Sequence, residues 1–134
     1  PDAVSVSVDF NEALAHSIEA GADVFLMPSR FEPCGLNQMY SQAYGTLPVV
    51  HATGGLADSV EDVRVEAEGV SGTGFVMAEP TVPALQHALQ RVLDLFAQPE
   101  DWQRVQAQGM ARDFGWAGSA REYESVYRKV LAGR

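Results

Sequence analysis

The chain is poor in cysteine and in basic residues. Its 134 residues include one cysteine, Cys34, which excludes an internal disulfide and is typical of a reducing compartment. Lys and Arg total 9 against 18 Asp and Glu, so the net charge is −9. An acidic surface repels phosphates, and we therefore expect no nucleic-acid partner.

Long apolar runs and metal-binding motifs are also missing. No run approaches the roughly 18 apolar residues of a membrane span, so no membrane partner is expected. The three histidines show no metal-ligand spacing, and CxxC and HExxH motifs are absent, which predicts no metal site. The N-terminus has neither an initiator Met nor a basic leader and resembles a cut edge, so we expect the chain to be part of a longer protein.

Apolar residues make up 46% of the chain and charged residues 20%, as in an ordinary folded domain. Short apolar or alternating runs predict strands at residues 4–8, 24–27, 47–50 and 74–77. Helices are predicted at residues 12–20, 36–44, 56–63 and 102–112, with a long helix from residue 81 and a last one toward the C-terminus. The polar stretch 66–72 is predicted to be a surface loop.

The helical patterns also predict which side chains face the core. Met39 and Ala43 are predicted to face inward in the second helix, and Ser119 and Glu122 to form a capping box before the last. The long helix carries an apolar stripe of Leu85, Leu89, Val92, Leu93 and Phe96.

Strands that alternate with helices indicate an α/β fold with a parallel sheet. Ligands of such sheets bind beyond the carboxyl ends of the strands. Three loops follow predicted strands, at residues 9–11, 29–35 and 51–55, and we expect them to meet at one edge of the sheet.

The loop before the second helix carries the most chemistry. Gly35 leaves the backbone open at the start of that helix, where free amides suit a diphosphate, and Glu32 is placed to accept sugar hydroxyls. Alternatively, Glu32 only favours the helix N-terminus and pairs with Arg30 on the surface. Cys34 has no histidine nearby in sequence and is interpreted as a small loop residue rather than a nucleophile.

Two further positions have both a functional and a structural interpretation. Thr53, Gly54 and Gly55 either let a ligand approach the backbone or form a plain turn. Phe10 either stacks on a nucleobase or packs in the core. His51 either donates a hydrogen bond to a ligand or lies on the surface.

Residues 22–40, 44–50 and 53–60 together resemble bacterial glycogen synthase and plant starch synthase. The most specific stretch is Ser29-Arg30-Phe31-Glu32-Pro33-Cys34-Gly35-Leu36-Asn37, and residues 72–75 and 109–116 match as well. The resemblance covers almost the whole chain. Enzymes of this family are retaining glycosyltransferases with two Rossmann-like domains, the GT-B architecture.

The resemblance implies that residues 1–134 are the later half of the C-terminal, nucleotide-sugar-binding domain of a GT-B fold, a partial Rossmann-like sheet. The N-terminal acceptor domain and the Arg and Lys that face the diphosphate would be absent, and the fragment alone inactive. The family moves glucose from ADP-glucose, a substrate rather than a cofactor, to the non-reducing 4-OH of an α-1,4-glucan with retention. Bacterial members are cytoplasmic and plant members plastidic.

The same resemblance assigns roles to single residues. Glu32 matches the essential carboxylate at the donor sugar, and Phe10 the aromatic that packs on adenine. The donor-binding residues it implies are Cys34, Gly35, Leu36, Asn37, Thr53, Gly54 and Gly55. Many bacterial members carry Arg at the position of His51, so the role of His51 is left open.

Two other interpretations of the chain stay open, and the missing strands have one structural consequence. The chain could belong to another retaining GT-B enzyme that uses a UDP- or GDP-sugar, or be a non-catalytic receiver-like module. In the usual strand order, the strands between residues 4–8 and 24–27 would be missing. The strand at 24–27 would then have an open edge, which predicts dimerisation or strand swapping.

Overall fold

The computed structural model describes residues 3–133. The ends of the predicted domain, residues 1, 2 and 134, lie outside the described residues. The strands are β1 (Val24–Met27), β2 (Leu47–His51), β3 (Arg64–Glu66), β4 (Gly69–Ser71) and β5 (Phe75–Met77). The helices are α1 (Glu12–Gly21), α2 (Asn37–Tyr44), α3 (Gly54–Ser59), α4 (Val82–Phe96), α5 (Pro99–Met110) and α6 (Trp116–Ala132).

A parallel sheet with the strand order β1-β2-β5 forms the centre of the fold. The central strand β2 is buried along its whole length, because it has a neighbour on each side and helices over its faces. The parallel α/β architecture is confirmed, as are the strands predicted at 24–27, 47–50 and 74–77. Parallel neighbours in a sheet need a long connection that returns the chain to the same end. Here α2 connects β1 to β2, and α3 with β3 and β4 connects β2 to β5.

The strand predicted at residues 4–8 is wrong. The segment has no regular secondary structure, and Val4, Val6 and Val8 are 74%, 79% and 95% exposed. Alternating apolar residues suit a strand, but a strand needs a partner for its backbone groups, and no described strand lies beside this segment. Within the described residues β1 pairs only with β2, and Leu26 is 49% exposed. The association predicted for this edge stays a prediction.

The loop predicted at residues 66–72 is also wrong. Strands β3 and β4 form an antiparallel hairpin that pairs Arg64 with Ser71 and Glu66 with Gly69. Its turn is the two-residue connection at 67–68. The polar composition that indicated a loop reflects a hairpin whose first strand is exposed at every position.

Helices α1, α2 and α4 begin within one residue of the predicted start, whereas α3 and α5 begin two and three residues earlier, and several helices face differently. Asn11 caps α1 by accepting a hydrogen bond from the Leu14 amide at 2.9 Å. Leu93 and Phe96 of the predicted α4 stripe are 62% and 50% exposed, and the buried positions are Ala88, Val92 and Leu95. The inward face therefore lies about one residue away from the predicted stripe.

The last helix begins earlier than predicted. Gly115 precedes its first residue, so Ser119 lies inside α6 and the proposed capping box is wrong. No residue of α6 is buried, and its apolar side chains face solvent.

The core lies on the face of the sheet that α4 and α5 cover. Its buried apolar side chains come from β2, β4, β5, α4 and α5. They include Leu47, Val70, Phe75, Trp102 and Val105. A smaller cluster of Val50, Leu56 and Val60 packs beneath α3. Both clusters contain residues of β2, so β2 is packed from both faces and its carboxyl end, which leads into residues 52–55, is held in place.

Helix α1 buries a carboxylate that gives the fold a pH dependence. Glu19 is 4% exposed and its Oε2 has no hydrogen-bond partner among the described residues. Burial raises the pKa of Glu19 above its ordinary 4.5, while the charge of His16 acts in the opposite direction. The folded state therefore binds the proton more tightly, and the stability that Glu19 contributes at low pH is lost as pH rises through the raised pKa.

We predict that Glu19→Gln raises the free energy of unfolding of the chain at about pH 7, because it removes the charge that burial disfavours. The gain shrinks as pH falls and disappears at about pH 3, well below the ordinary 4.5, where Glu19 is protonated in both states. Urea unfolding across this pH range measures the effect. Glu122→Gln on the exposed α6 is the control and should show no such trend; an equal trend in both variants would contradict the prediction.

Candidate functional site

Two loops leave the same edge of the sheet from adjacent strands. Met27, at the end of β1, pairs in register with Val50 near the end of β2. The loop from residue 28 to 36 and the short turn at 52–53 therefore start side by side, as predicted, whereas residues 9–11, the third loop expected at this edge, follow no described strand of the sheet. This edge carries Glu32, the N-terminus of α2 and the Thr53-Gly54-Gly55 turn.

The two loops touch through their backbones. The Gly55 amide donates to the Glu32 carbonyl oxygen at 3.2 Å. A Cβ on Gly54 would overlap that carbonyl oxygen, and one on Gly55 would overlap the carbonyl oxygen of Cys34. Gly54 also has φ +45°, a conformation that side chains disfavour. Both glycines are therefore needed here for contact between two protein loops, and the turn is more than a plain strand-to-helix connection.

The N-terminus of α2 presents unused backbone donors. Gly35 has φ +73°, and Leu36 precedes the helix without a side-chain cap. In the part of the chain that the structure describes, no acceptor is recorded for the amides of residues 35–38. Leu36 and Asn37 are exposed and Gly35 is half-buried, so the amides of residues 35–37 lie where a ligand could reach them, whereas Gln38 is buried. Free amides at a helix N-terminus favour an anion such as a phosphate.

A buried glutamine lies beneath this loop. Gln38 is 0% exposed, and its Nε2 lies 3.2 Å from the Cys34 carbonyl oxygen, 3.1 Å from that of Gly35 and 3.0 Å from Ser59 Oγ. Ser59 Oγ in turn donates to the Gly55 carbonyl oxygen at 2.6 Å. The side chain of Gln38 thus joins the first loop to α3, which follows the glycine turn.

Glu32 stays close to the end of β1. Its Oε2 lies 3.5 Å from Ser29 Oγ, two residues beyond that strand. The Ser29 carbonyl oxygen lies 2.9 Å from Nδ1 of His51, and since a carbonyl only accepts, Nδ1 donates. Arg30 makes no recorded ion pair with Glu32 in the described residues, so the surface-pair alternative is wrong.

The structure brings together most, but not all, of the predicted site residues. Glu32, Cys34, Gly35 and the glycine turn lie within one cluster of backbone contacts. Phe10 does not join them: it is 93% exposed, so its interpretation as a core aromatic is wrong. Cys34 is exposed, and its Sγ lies 3.5 Å from the Gly35 carbonyl oxygen.

Sequence reasoning missed the polar inward face of α2. The buried positions are Gln38, Ser41 and Gln42, while Met39 is half-buried and Ala43 exposed, so the predicted orientation was wrong. Apolar residues were assumed to face the sheet. The spacing of Gln38, Ser41 and Gln42 at i, i+3 and i+4 was the available signal, because one helix face is then polar throughout. His51, the last residue of β2, is only 9% exposed and is bonded to the loop at Ser29, so its interpretation as a surface residue is wrong.

The site's own positive charge is small. Between residues 22 and 63, Arg30 is the sole Lys or Arg. The described residues contain no cluster of three or more His, Cys, Asp or Glu side chains that could hold a metal ion. No helix in residues 3–133 is long and apolar enough to cross a membrane. Backbone amides are therefore the main anion-binding groups that this segment offers.

Comparison with known proteins gives concordant matches. Residues 5–108 match the family described as glycosyl transferases group 1. The chain is 52% identical over 99% of its length to glycogen synthase 1 of Methylococcus capsulatus and 55% identical over 100% to a glycogen synthase of Anaeromyxobacter dehalogenans. The catalytic domain of starch synthase IV from Arabidopsis thaliana, solved with ADP and acarbose, has a TM-score of 0.79 at 36% identity over 93% of the chain.

These matches cover only part of the relatives. The chain spans 27% and 28% of the two bacterial proteins and 26% of the Arabidopsis structure.

The contact between the two loops predicts the cost of adding one methyl group. Gly55→Ala forces the glycine turn away from Cys34 and should lower the free energy of unfolding by about 1–3 kcal/mol, as overpacking does elsewhere. Gly118→Ala in α6, where nothing lies within 4 Å of the new Cβ, is the matched control. It should stabilise the chain by about 0.5–1 kcal/mol, because Ala is a better helix former. Denaturant unfolding measures both, and an equal response of the two variants would refute the close contact.

Proposed function

The chain belongs to the group 1 glycosyl transferases, and from this membership we propose that it is the donor-binding segment of a glycogen or starch synthase. Family membership decides against the receiver-like module. We propose that the full-length parent transfers glucose from ADP-glucose to the non-reducing 4-OH of an α-1,4-glucan with retention. The observation that carries the proposal is the meeting of Glu32, the free amides of α2 and the glycine turn at one edge of the sheet.

We propose that the diphosphate of the donor lies at the N-terminus of α2. The accessible amides of residues 35–37 have no recorded acceptor in the described chain, and the helix dipole favours negative charge there. Charge grows on the diphosphate as the glycosidic bond breaks. Amides that are already oriented stabilise that charge without reorganisation, which is the form of catalysis that usually contributes most.

In this proposal Glu32 acts on the sugar rather than on the phosphate. Its carboxylate lies beside Ser29 at the end of β1, and its backbone is held by the Gly55 amide. It would orient hydroxyls of the glucosyl ring and stabilise positive charge that develops at the anomeric carbon. The loop from residue 28 to 36 contains no carboxylate besides Glu32, so we propose no covalent glycosyl-enzyme.

The remaining parts of the reaction need groups beyond this segment. The bacterial relatives are more than three times as long as the part that matches, since that part is 27% of one and 28% of the other. Arg30 alone gives too little charge to neutralise a diphosphate. We therefore propose that the glucan and further cations bind to other parts of the parent, and that this chain alone does not elongate glucan. The setting we propose is the bacterial cytoplasm, or a plastid for a plant protein.

The nucleobase of the donor is proposed from the family relationship rather than from a contact in the structure. Phe10, which the resemblance assigns to adenine, is 93% exposed and lies in a segment without regular structure. A UDP- or GDP-sugar stays the alternative donor. Titration of the parent with ADP, UDP and GDP distinguishes them, and we expect ADP to bind with the lowest dissociation constant.

We predict that Glu32→Gln in the parent lowers kcat for glucan elongation by about 10²–10³, the usual effect of losing one preorganised charge interaction. The dissociation constant for ADP should stay within about twofold, because ADP lacks the sugar that Glu32 contacts. Steady-state kinetics and calorimetry measure the two effects.

Glu66→Gln, on the exposed strand β3, is the control and should retain normal kinetics. Full glucan synthesis by the Glu32→Gln parent would overturn the assignment of Glu32.

A further inference from the structure

Gln38 is a polar side chain that the proposed reaction does not yet use. It is completely buried, although burying an amide is costly unless its polar groups are hydrogen-bonded. Three acceptors lie within 3.2 Å of its Nε2, whereas its Oε1 has no partner among the described residues. The orientation of the amide is unambiguous, because the reverse orientation would place Oε1 against two carbonyl oxygens.

The two loop carbonyls that Gln38 binds belong to consecutive peptide groups. These are the Cys34–Gly35 and Gly35–Leu36 peptides, and the described chain contains no cis peptide bond. In a trans peptide the C=O and N–H point in opposite directions. By drawing both carbonyls inward, Gln38 turns the amides of Gly35 and Leu36 away from the core and toward the open side of the loop.

The Gly35 and Leu36 amides lie just before α2, where they form a concave group of hydrogen-bond donors. Successive amides around a residue with positive φ, here Gly35 at +73°, create a small anion-binding depression. Neither amide has a recorded acceptor in the described residues, so the depression keeps both donors available. Gln38 also lies close beneath Gly35, since a Cβ there would be 2.5 Å from Gln38 Oε1.

The same side chain links this depression to the second loop. Gln38 Nε2 is 3.0 Å from Ser59 Oγ, which donates to the Gly55 carbonyl oxygen. Gly55 is the residue whose amide holds the Glu32 carbonyl oxygen. Gln38 therefore connects the amides that would bind phosphate with the backbone that positions Glu32.

Gln42 has a similar setting without this connection. It is also fully buried on α2, and its Nε2 donates to the Gln38 carbonyl oxygen at 2.9 Å and to that of Ser59 at 3.1 Å. Its recorded hydrogen bonds include none to the backbone of residues 32–36 in the described chain. If both buried side chains only stabilised the fold, substituting Gln38 or Gln42 should have the same effect on nucleotide binding.

We propose that Gln38 is a positioning residue that orients the Gly35 and Leu36 amides toward the donor diphosphate. The proposal rests on the proposed function of the α2 N-terminus. It assigns to Gln38 an effect on the nucleotide side of the reaction and none on the binding of glucan.

The test compares Gln38→Met and Gln38→Glu with Gln42→Met and Gln42→Glu in the full-length parent. ADP binding is measured by calorimetry, kinetics by varying sugar nucleotide and glucan separately, and stability by urea unfolding. We expect the Gln38 variants to bind ADP about tenfold or more weakly and to lower kcat, with the KM for glucan unchanged. The Gln42 variants should lose similar stability yet bind ADP as the wild type does.

A folded Gln38 variant with wild-type ADP affinity overturns the proposal, and so does an equal loss of ADP affinity in the Gln38 and Gln42 variants. Wild-type parent that binds no nucleoside diphosphate overturns the proposed function instead. Amide NMR of Gly35 and Leu36 in the present chain then tests the orientation separately. Shifts altered by Gln38→Met but not by Gln42→Met support it, and unaltered shifts overturn it.

Discussion

The close approach of two backbones at the carboxyl edge of the sheet is the constraint on which the candidate site depends. Gly54 and Gly55 leave no space for a side chain between the glycine turn and the loop at Glu32 and Cys34. The Gly55 amide and the buried Gln38 then tie the loops together by hydrogen bonds. Because both loops leave adjacent parallel strands, the contact fixes a carboxylate and a row of amides relative to each other.

This arrangement suits an acidic chain that handles an anionic ligand. With a net charge of −9 and a single arginine near the site, side-chain cations contribute little attraction. Oriented amides and a helix dipole offer partial positive charge at fixed positions and need no counter-ion of their own. Such groups lower a barrier only if they are already in place, which explains why a completely buried glutamine and two crowded glycines lie beneath them.

The features that the sequence predicted well are local. The apolar runs at 24–27 and 47–50 and the glycine that follows residue 44 specify strands and a helix end through nearest neighbours alone. The same patterns failed where a distant partner decides. Residues 4–8 alternate like a strand but have no strand beside them, and the polar residues 66–72 pair with each other as a hairpin.

The candidate site shows the same division between features set by local sequence and features set by distant partners. Glu32, Gly35 and the glycine turn could be recognised from their positions after strands and from a family resemblance. The hydrogen bonds of Gln38 and His51 could not be predicted, because they depend on which carbonyl oxygens these side chains meet after folding. Polar side chains on the buried side of α2 contradict the simple rule that inward positions are apolar, and their hydrogen bonds join residues up to 21 positions apart.

A crystal structure of the full-length parent with ADP-glucose, or with ADP and a glucose analogue, would show whether the diphosphate lies at the N-terminus of α2. We expect diphosphate oxygens within hydrogen-bond distance of the amides of residues 35–37, at about 2.7–3.2 Å, and the Glu32 carboxylate against a hydroxyl of the sugar. A diphosphate bound away from the N-terminus of α2, with Glu32 directed away from the sugar, would contradict it.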